Sequence, residues 1–182
     1  MTMDQQFTVL KSNEDVQKRI RELAEIIDKD YREISAEQPL LVLCTLRGAV
    51  FFAADLARAL HIPCELDFIK IRSYEGTRPA GAPVFELGEQ IQVRGRDVLI
   101  VEDIVDTGQT MDAVLRNFND KGAKSIRIAA MLDKPSRRYP HLRGTVKPDY
   151  IGFSIPDEFV IGWGLDYNGR YRLLPDIAIY HP

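Results

Sequence analysis

The chain has 182 residues, 45% hydrophobic and 28% charged, with a formal net charge of −3. That length suits one well-buried domain, expected to span 1–182 with a core over about 36–146 and a small cap from about 1–12 and 147–182. The charge argues against a nucleic-acid binder, no apolar run approaches the roughly 20 residues of a membrane span, and Cys44 and Cys64 form no metal-binding cluster.

The N-terminal stretch MTMDQQFTVLKSNED lacks the basic start and apolar core of a signal peptide, which makes the cytoplasm the expected compartment. Ser12 or Asn13 is placed to cap a first helix, whose apolar residues Val16, Ile20, Leu23, Ile27, Tyr31 and Ile34 recur every three or four positions. Apolar surface left on this outer helix would suit a dimer or tetramer. Leu40 to Leu46 reads as a buried strand, followed by Arg47-Gly48 and a largely apolar helix from Ala49 to about Leu60. Cys64 to Ile71 alternates enough to be a strand. Both cysteines lie in or beside strand-like runs and read as reduced packing residues. Arg72 to Glu89, with Ser73, Tyr74 and several glycines and prolines, reads as a long loop of the kind that serves as a lid.

Val98 to Met111, VLIVEDIVDTGQTM, carries the most chemistry. Its four apolar residues Val98 to Val101 suit a strand covered on both faces. Glu102 and Asp103 follow where that strand would leave the core, the edge at which open α/β sheets bind ligands. Asp106-Thr107-Gly108-Gln109-Thr110 then leads into a helix with Met111, Val114, Leu115 and Phe118 on one side. Backbone N–H groups and hydroxyls at such a helix start suit a phosphate, and the acidic pair suits sugar hydroxyls or a hydrated divalent cation. The bland alternative is that the pair ends a strand and Asp106 caps a helix. No G-x-x-x-x-G-K-[ST] loop is present, so a P-loop NTPase has no support.

Ser125 to Leu132 is a further strand, closed by Asp133-Lys134-Pro135; a lysine at a sheet edge is usually a solvated charge. The order strand, helix, strand, strand, helix, strand predicts an α/β fold, a twisted mainly parallel sheet flanked by helices. Pro148 to Trp163 and Arg170 to Tyr180 are expected to build the cap with the N-terminal segment and not to extend that sheet. Within them, Phe159 and Val160 lie in an apolar run where an aromatic is most often core, and Asp166, Arg170 and Arg172 fit surface ion pairs.

The string EDIVDTGQT resembles the phosphoribosyl diphosphate (PRPP) signature of the type I phosphoribosyltransferases, particularly their hypoxanthine-guanine branch. Four other segments share the likeness: Leu46-Arg47-Gly48-Ala49, Leu132-Asp133-Lys134, Ile155 to Gly162, and Leu165-Asp166-Tyr167-Asn168 with Arg172. The resemblance implies transfer of 5-phosphoribosyl from PRPP to N9 of hypoxanthine or guanine, giving IMP or GMP and pyrophosphate, with Mg²⁺ as cofactor. By that likeness Glu102 and Asp103 would meet the ribose or the metal shell, and Thr107, Gly108, Gln109 and Thr110 would surround the 5′-phosphate. Asp106 would exchange a proton at the purine N7. Leu46, Arg47, Gly48 and Arg172 would bind pyrophosphate, and the Leu46–Arg47 peptide would be the family's frequent non-proline cis bond. Lys134 would donate to the O6 of a 6-oxopurine, Phe159 would stack on the base and the Val160 backbone would read its far edge. Asp166 would lie on the purine side and help hold Mg²⁺, and Ser73-Tyr74 matches the family's mobile lid. Two rivals stay open on sequence: a PRPP-sensing regulator that binds nucleic acid on the same fold, and a xanthine-preferring transferase.

Overall fold

The computed structural model describes residues 6–72 and 84–181. Its elements run β1 (Phe7–Lys11), α1 (Asn13–Asp30), β2 (Leu40–Thr45), α2 (Val50–Ala59), β3 (Cys64–Arg72), β4 (Val84–Leu87), β5 (Asp97–Val105), α3 (Gln109–Asp120), β6 (Ser125–Asp133), β7 (Tyr150–Ser154), β8 (Val160–Ile161) and β9 (Ile177–Tyr180). Six strands form the main sheet in the order β4-β3-β2-β5-β6-β7, all pairings parallel except the edge pair β3–β4. β2 is buried at every position, as a strand covered on both faces must be. Helices α1 and α2 pack one face through Val16, Ile20, Leu23, Phe52 and Leu56 against Val42, Leu99 and Val101. The amphipathic α3 packs the other through Met111, Val114 and Phe118 against Val98, Ile100 and Ile128. Together these features are the expected α/β fold.

Ser12, not Asn13, caps α1. Its side chain accepts from the Asp15 backbone N–H while Asp15 accepts from the Ser12 backbone in return, a capping box. A three-stranded sheet, β1-β9-β8, joins the N-terminal segment to the C-terminal one.

Two segments depart from the expected plan. Tyr150–Ser154, expected in the cap, pairs in parallel with β6 and extends the main sheet. Gly152 permits this approach, since a Cβ there would overlap the Met131 carbonyl, and Arg19 on α1 donates to the carbonyls of Ile151 and Gly152 at 2.9 and 3.0 Å. Val84–Leu87, expected inside a loop, forms an antiparallel edge strand on β3. Ser73 and Tyr74, the expected lid residues, lie outside the described residues.

Candidate active site

Parallel pairing puts the carboxyl ends of β2, β5 and β6 side by side, and Gly48, Glu102, Asp103, Asp106 and Lys134 lie at or just past those ends. β5 runs past the acidic pair as far as Val105, so Glu102 and Asp103 belong to the strand and do not terminate it. The Glu102 Oε2 atom is shut off from solvent without a hydrogen-bond partner. Burial and the neighbouring Asp103 carboxylate push the Glu102 carboxyl well above the usual range, and the Thr45 hydroxyl offsets this only in part. Burial raises Asp103 as well, opposed by Glu102, by the Ile104 N–H at 2.9 Å and by the charge of Arg172. Two adjacent half-buried acids, one with a buried and unpartnered oxygen, form a hard-oxygen site.

Past the strand end, α3 opens on Gly108, whose φ of +88° glycine adopts readily and most L residues do not. The N-cap is Gly108 and not Asp106, and of the first-turn N–H groups that of Gln109 meets only the Thr107 hydroxyl, at a long 3.5 Å, which leaves the helix start open to an anion. A Cβ at Gly108 would come within 2.7 Å of Arg138 Cδ and 3.3 Å of Val146. The loop is therefore closed from behind by Arg138, whose Nη1 donates to the Asp106 carbonyl at 2.6 Å and whose Nη2 pairs with Asp133. Thr107 and Thr110 are half-buried beside this turn, and Gln109 points to an exposed position.

On the adjacent strand, Val105 lies in register with Asp133, and the Lys134 N–H donates to the Val105 carbonyl at 3.0 Å. Lys134 is buried, not the solvated charge that its place at a sheet edge suggested. Its Nζ lies 3.9 Å from Asp157 Oδ1. Asp106 Oδ1 accepts from Arg137 Nε at 3.1 Å. Phe159 is 50% exposed and so is not core; its ring meets Tyr167 edge-on at 5.7 Å, and Tyr167 stacks on Tyr180 at 4.7 Å. Val160, next along, is buried and pairs with Ile179.

The residues expected to bind pyrophosphate meet the acidic pair through close backbone approach. The Leu46–Arg47 peptide is cis. A Cβ at Gly48 would overlap the Asp103 carboxylate, and one at Gly164 would overlap the Gly48 carbonyl. Arg47 stays exposed beside them. Arg172 donates to the Gly164 carbonyl and pairs with Asp166 Oδ1, both at 2.6 Å, while Asp166 Oδ2 accepts from the Gly169 N–H at 2.7 Å. Both Asp166 oxygens are thus engaged by the chain itself, and of the three acids expected near a metal, Glu102 and Asp103 have the more available donor set.

A family model for the phosphoribosyl transferase domain matches residues 8–168. Hypoxanthine-guanine phosphoribosyltransferases of Mycobacterium tuberculosis and Lactococcus lactis are 41% and 42% identical to the chain, each over 96% of it and over 86% and 91% of their own lengths. The chain belongs to the hypoxanthine-guanine phosphoribosyltransferase family. Its fold agrees: a Trypanosoma cruzi hypoxanthine phosphoribosyltransferase variant, solved as a ternary substrates complex, superposes with a TM-score of 0.88 at 36% identity, covering 96% of this chain and 95% of that one. A further structure of that enzyme, complexed with the product IMP, gives 0.89 at 34% identity, covering 100% and 94%.

For this phosphoribosyltransferase, sequence reasoning missed Arg137, Arg138 and Asp157. Two arginines after a Lys-Pro pair and an aspartate in a turn carry no periodic signal. Their roles arise only because β6 sets Pro135–Arg137, a short 3-10 turn, against the end of β5. Among the described residues no helix is long and apolar enough to cross a membrane.

Proposed function

We propose that the chain transfers the 5-phosphoribosyl group of PRPP to N9 of hypoxanthine or guanine with Mg²⁺, forming IMP or GMP and pyrophosphate in purine salvage. The observation that carries this reading is the buried Lys134 ammonium beside the end of β5, one strand from the acidic pair and the open helix start. An ammonium donates and cannot accept, so it favours the O6 carbonyl of a 6-oxopurine over the amino group of adenine. A regulator that only sensed PRPP would have no use for it.

The α3 start with Thr107, Gly108 and Thr110 holds the 5′-phosphate. Glu102 and Asp103 hold Mg²⁺ or the ribose hydroxyls, and the orphaned Glu102 oxygen supports a hard cation there. When bound, Mg²⁺ supplies counter-charge for the pyrophosphate leaving group. The backbone of Leu46, Arg47 and Gly48 and the Arg172 guanidinium bind that leaving group as the ribosyl centre gains oxocarbenium character. Asp166 positions Arg172 and would be a further carboxylate able to hold the metal. Phe159 stacks on the base, the Val160 backbone reads its far edge, and Asp106 exchanges a proton at N7 so that N9 becomes the better nucleophile.

We further infer a cytoplasmic enzyme and a homo-oligomer, dimer or tetramer. Two free cysteines support the first. Exposed Ile26 on α1 and Val50 and Phe51 on α2 support the second.

Purified protein with PRPP and Mg²⁺ is expected to turn over hypoxanthine, guanine or both, and not adenine, in a coupled spectrophotometric assay. Turnover of xanthine alone would replace the proposed acceptor, and no turnover with any base would favour the regulator. Glu102→Gln removes one of two crowded, half-buried acids, and its amide can donate to Asp103. It is expected to raise the melting temperature of the metal-free protein by about 2–4 °C per kcal/mol of repulsion relieved, while abolishing stabilisation by added Mg²⁺. An unchanged Mg²⁺ response in a thermal melt would remove Glu102 from the cation site.

A further inference from the structure

Four charged side chains of alternating sign cross the mouth of the site. Asp106 Oδ1 accepts from Arg137 Nε at 3.1 Å, Arg137 Nη1 lies 3.5 Å from Asp157 Oδ2, and Asp157 Oδ1 lies 3.9 Å from Lys134 Nζ. The members come from three segments: Asp106 just past the end of β5, Lys134 and Arg137 from the turn after β6, and Asp157 from the loop between β7 and β8. The outer three are substantially exposed, with side-chain exposures of 39% for Asp106, 47% for Arg137 and 55% for Asp157. Ion pairs so exposed add little to stability. Geometry is the better account of their presence.

We propose that Arg137 is a positioning residue, bridging Asp106 and Asp157 so that the proton-exchanging carboxylate and the Lys134 ammonium stand at a fixed separation. The inference rests on the transferase reading, in which Asp106 addresses N7 of the purine and Lys134 addresses O6. Those two atoms share one edge of the base, so the groups that read them must keep a set spacing. A planar guanidinium suits this task because its Nε and Nη1 edges face two carboxylates at once, whereas an ammonium is a point charge without a fixed fork. By engaging Oδ1 of Asp106, Arg137 orients the carboxylate and leaves Oδ2 for the base. The backbone supports the placement: Arg137 N–H donates to the Lys134 carbonyl at 3.0 Å, tying the bridging residue to the base-reading one.

A double-mutant cycle of Arg137→Gln and Asp106→Asn tests this, with steady-state kinetics on hypoxanthine and guanine. Arg137→Gln alone is expected to lower kcat about 10- to 100-fold, the scale of a catalytic group displaced by about 1 Å, with the KM for PRPP unchanged. In the Asp106→Asn background the same substitution is expected to cost almost nothing further, since a residue that acts through another is non-additive with it. Arg137→Lys should recover only part of the loss, and Asp157→Asn, which leaves Arg137 on Asp106, should lose less and show the same non-additivity. Equal fold-losses from Arg137→Gln in both backgrounds, or a loss confined to the KM for PRPP, would overturn the proposal while the transferase reading stands. An unmodified protein without turnover on any purine would overturn the transferase reading, and this inference with it. Thermal melts of each variant distinguish lost positioning from lost fold.

Discussion

Replacing Asp106 with asparagine is expected to slow phosphoribosyl transfer by about 10²- to 10⁴-fold, the usual contribution of a positioned general acid or base, while PRPP affinity stays nearly unchanged. Asparagine keeps the size of the side chain and an oxygen for Arg137 Nε, so the loop proposed to receive the phosphate is preserved. What it loses is the ability to take and return a proton. A loss in kcat without a matching loss in PRPP binding identifies an interaction made at the transition state. Single-turnover rates and calorimetric titration of PRPP with Mg²⁺ supply the two numbers. Equal losses in both would make Asp106 a structural part of the loop and leave the proton transfer to another group.

The second large effect is expected at Arg138, which no feature of the sequence singled out. Its side chain is 4% exposed and pairs with Asp133, whose side chain is 7% exposed. Arg138→Met would leave the Asp133 carboxylate buried without its partner, a change that costs about 3–5 kcal/mol when one member of a buried pair is removed. In a domain of this size that lowers the melting temperature by roughly 10 °C. The substitution also removes the donor to the Asp106 carbonyl and the atoms packed behind Gly108, so PRPP binding should weaken in protein that remains folded. Converting Asp133 to leucine in the same chain should restore much of the melting temperature, because a well-packed apolar pair can replace a buried ion pair. PRPP affinity should stay low, since the loop support is still missing. Stability unchanged in Arg138→Met would show that water reaches Asp133 and that the pair is not sealed.

Local pattern carried much of the fold. The apolar runs Leu40 to Leu46 and Val98 to Val101 and the 3.6-residue rhythm of α1 and α3 are properties of short segments, so they could be read without neighbours. The Arg72 to Glu89 segment misled because Val84–Leu87 is short and bounded by glycine and proline, and it becomes a strand only against the free edge of β3. Tyr150–Ser154 misled for a similar reason: whether a five-residue strand joins the cap or the main sheet depends on which edge is vacant. Phe159 shows the limit for side chains, since an aromatic in an apolar run is core only if something covers it, and half of it is left uncovered.

The sequence by itself determined that an acidic pair, a glycine turn and a helix start follow one buried strand, because all of these lie within fourteen consecutive residues. It also supplied the separate segments bearing Gly48, Lys134, Phe159 and Arg172. Only the tertiary structure decided what stands beside what. Gly48 lies against Asp103 because both lie at the carboxyl edge of one sheet, and Lys134 flanks Asp106 because β5 and β6 pair with Val105 opposite Asp133. Arg137 and Arg138 joined the site for the same reason. The register of parallel strands follows from matching the buried faces of runs far apart in the chain, so it emerges only when those runs pack together.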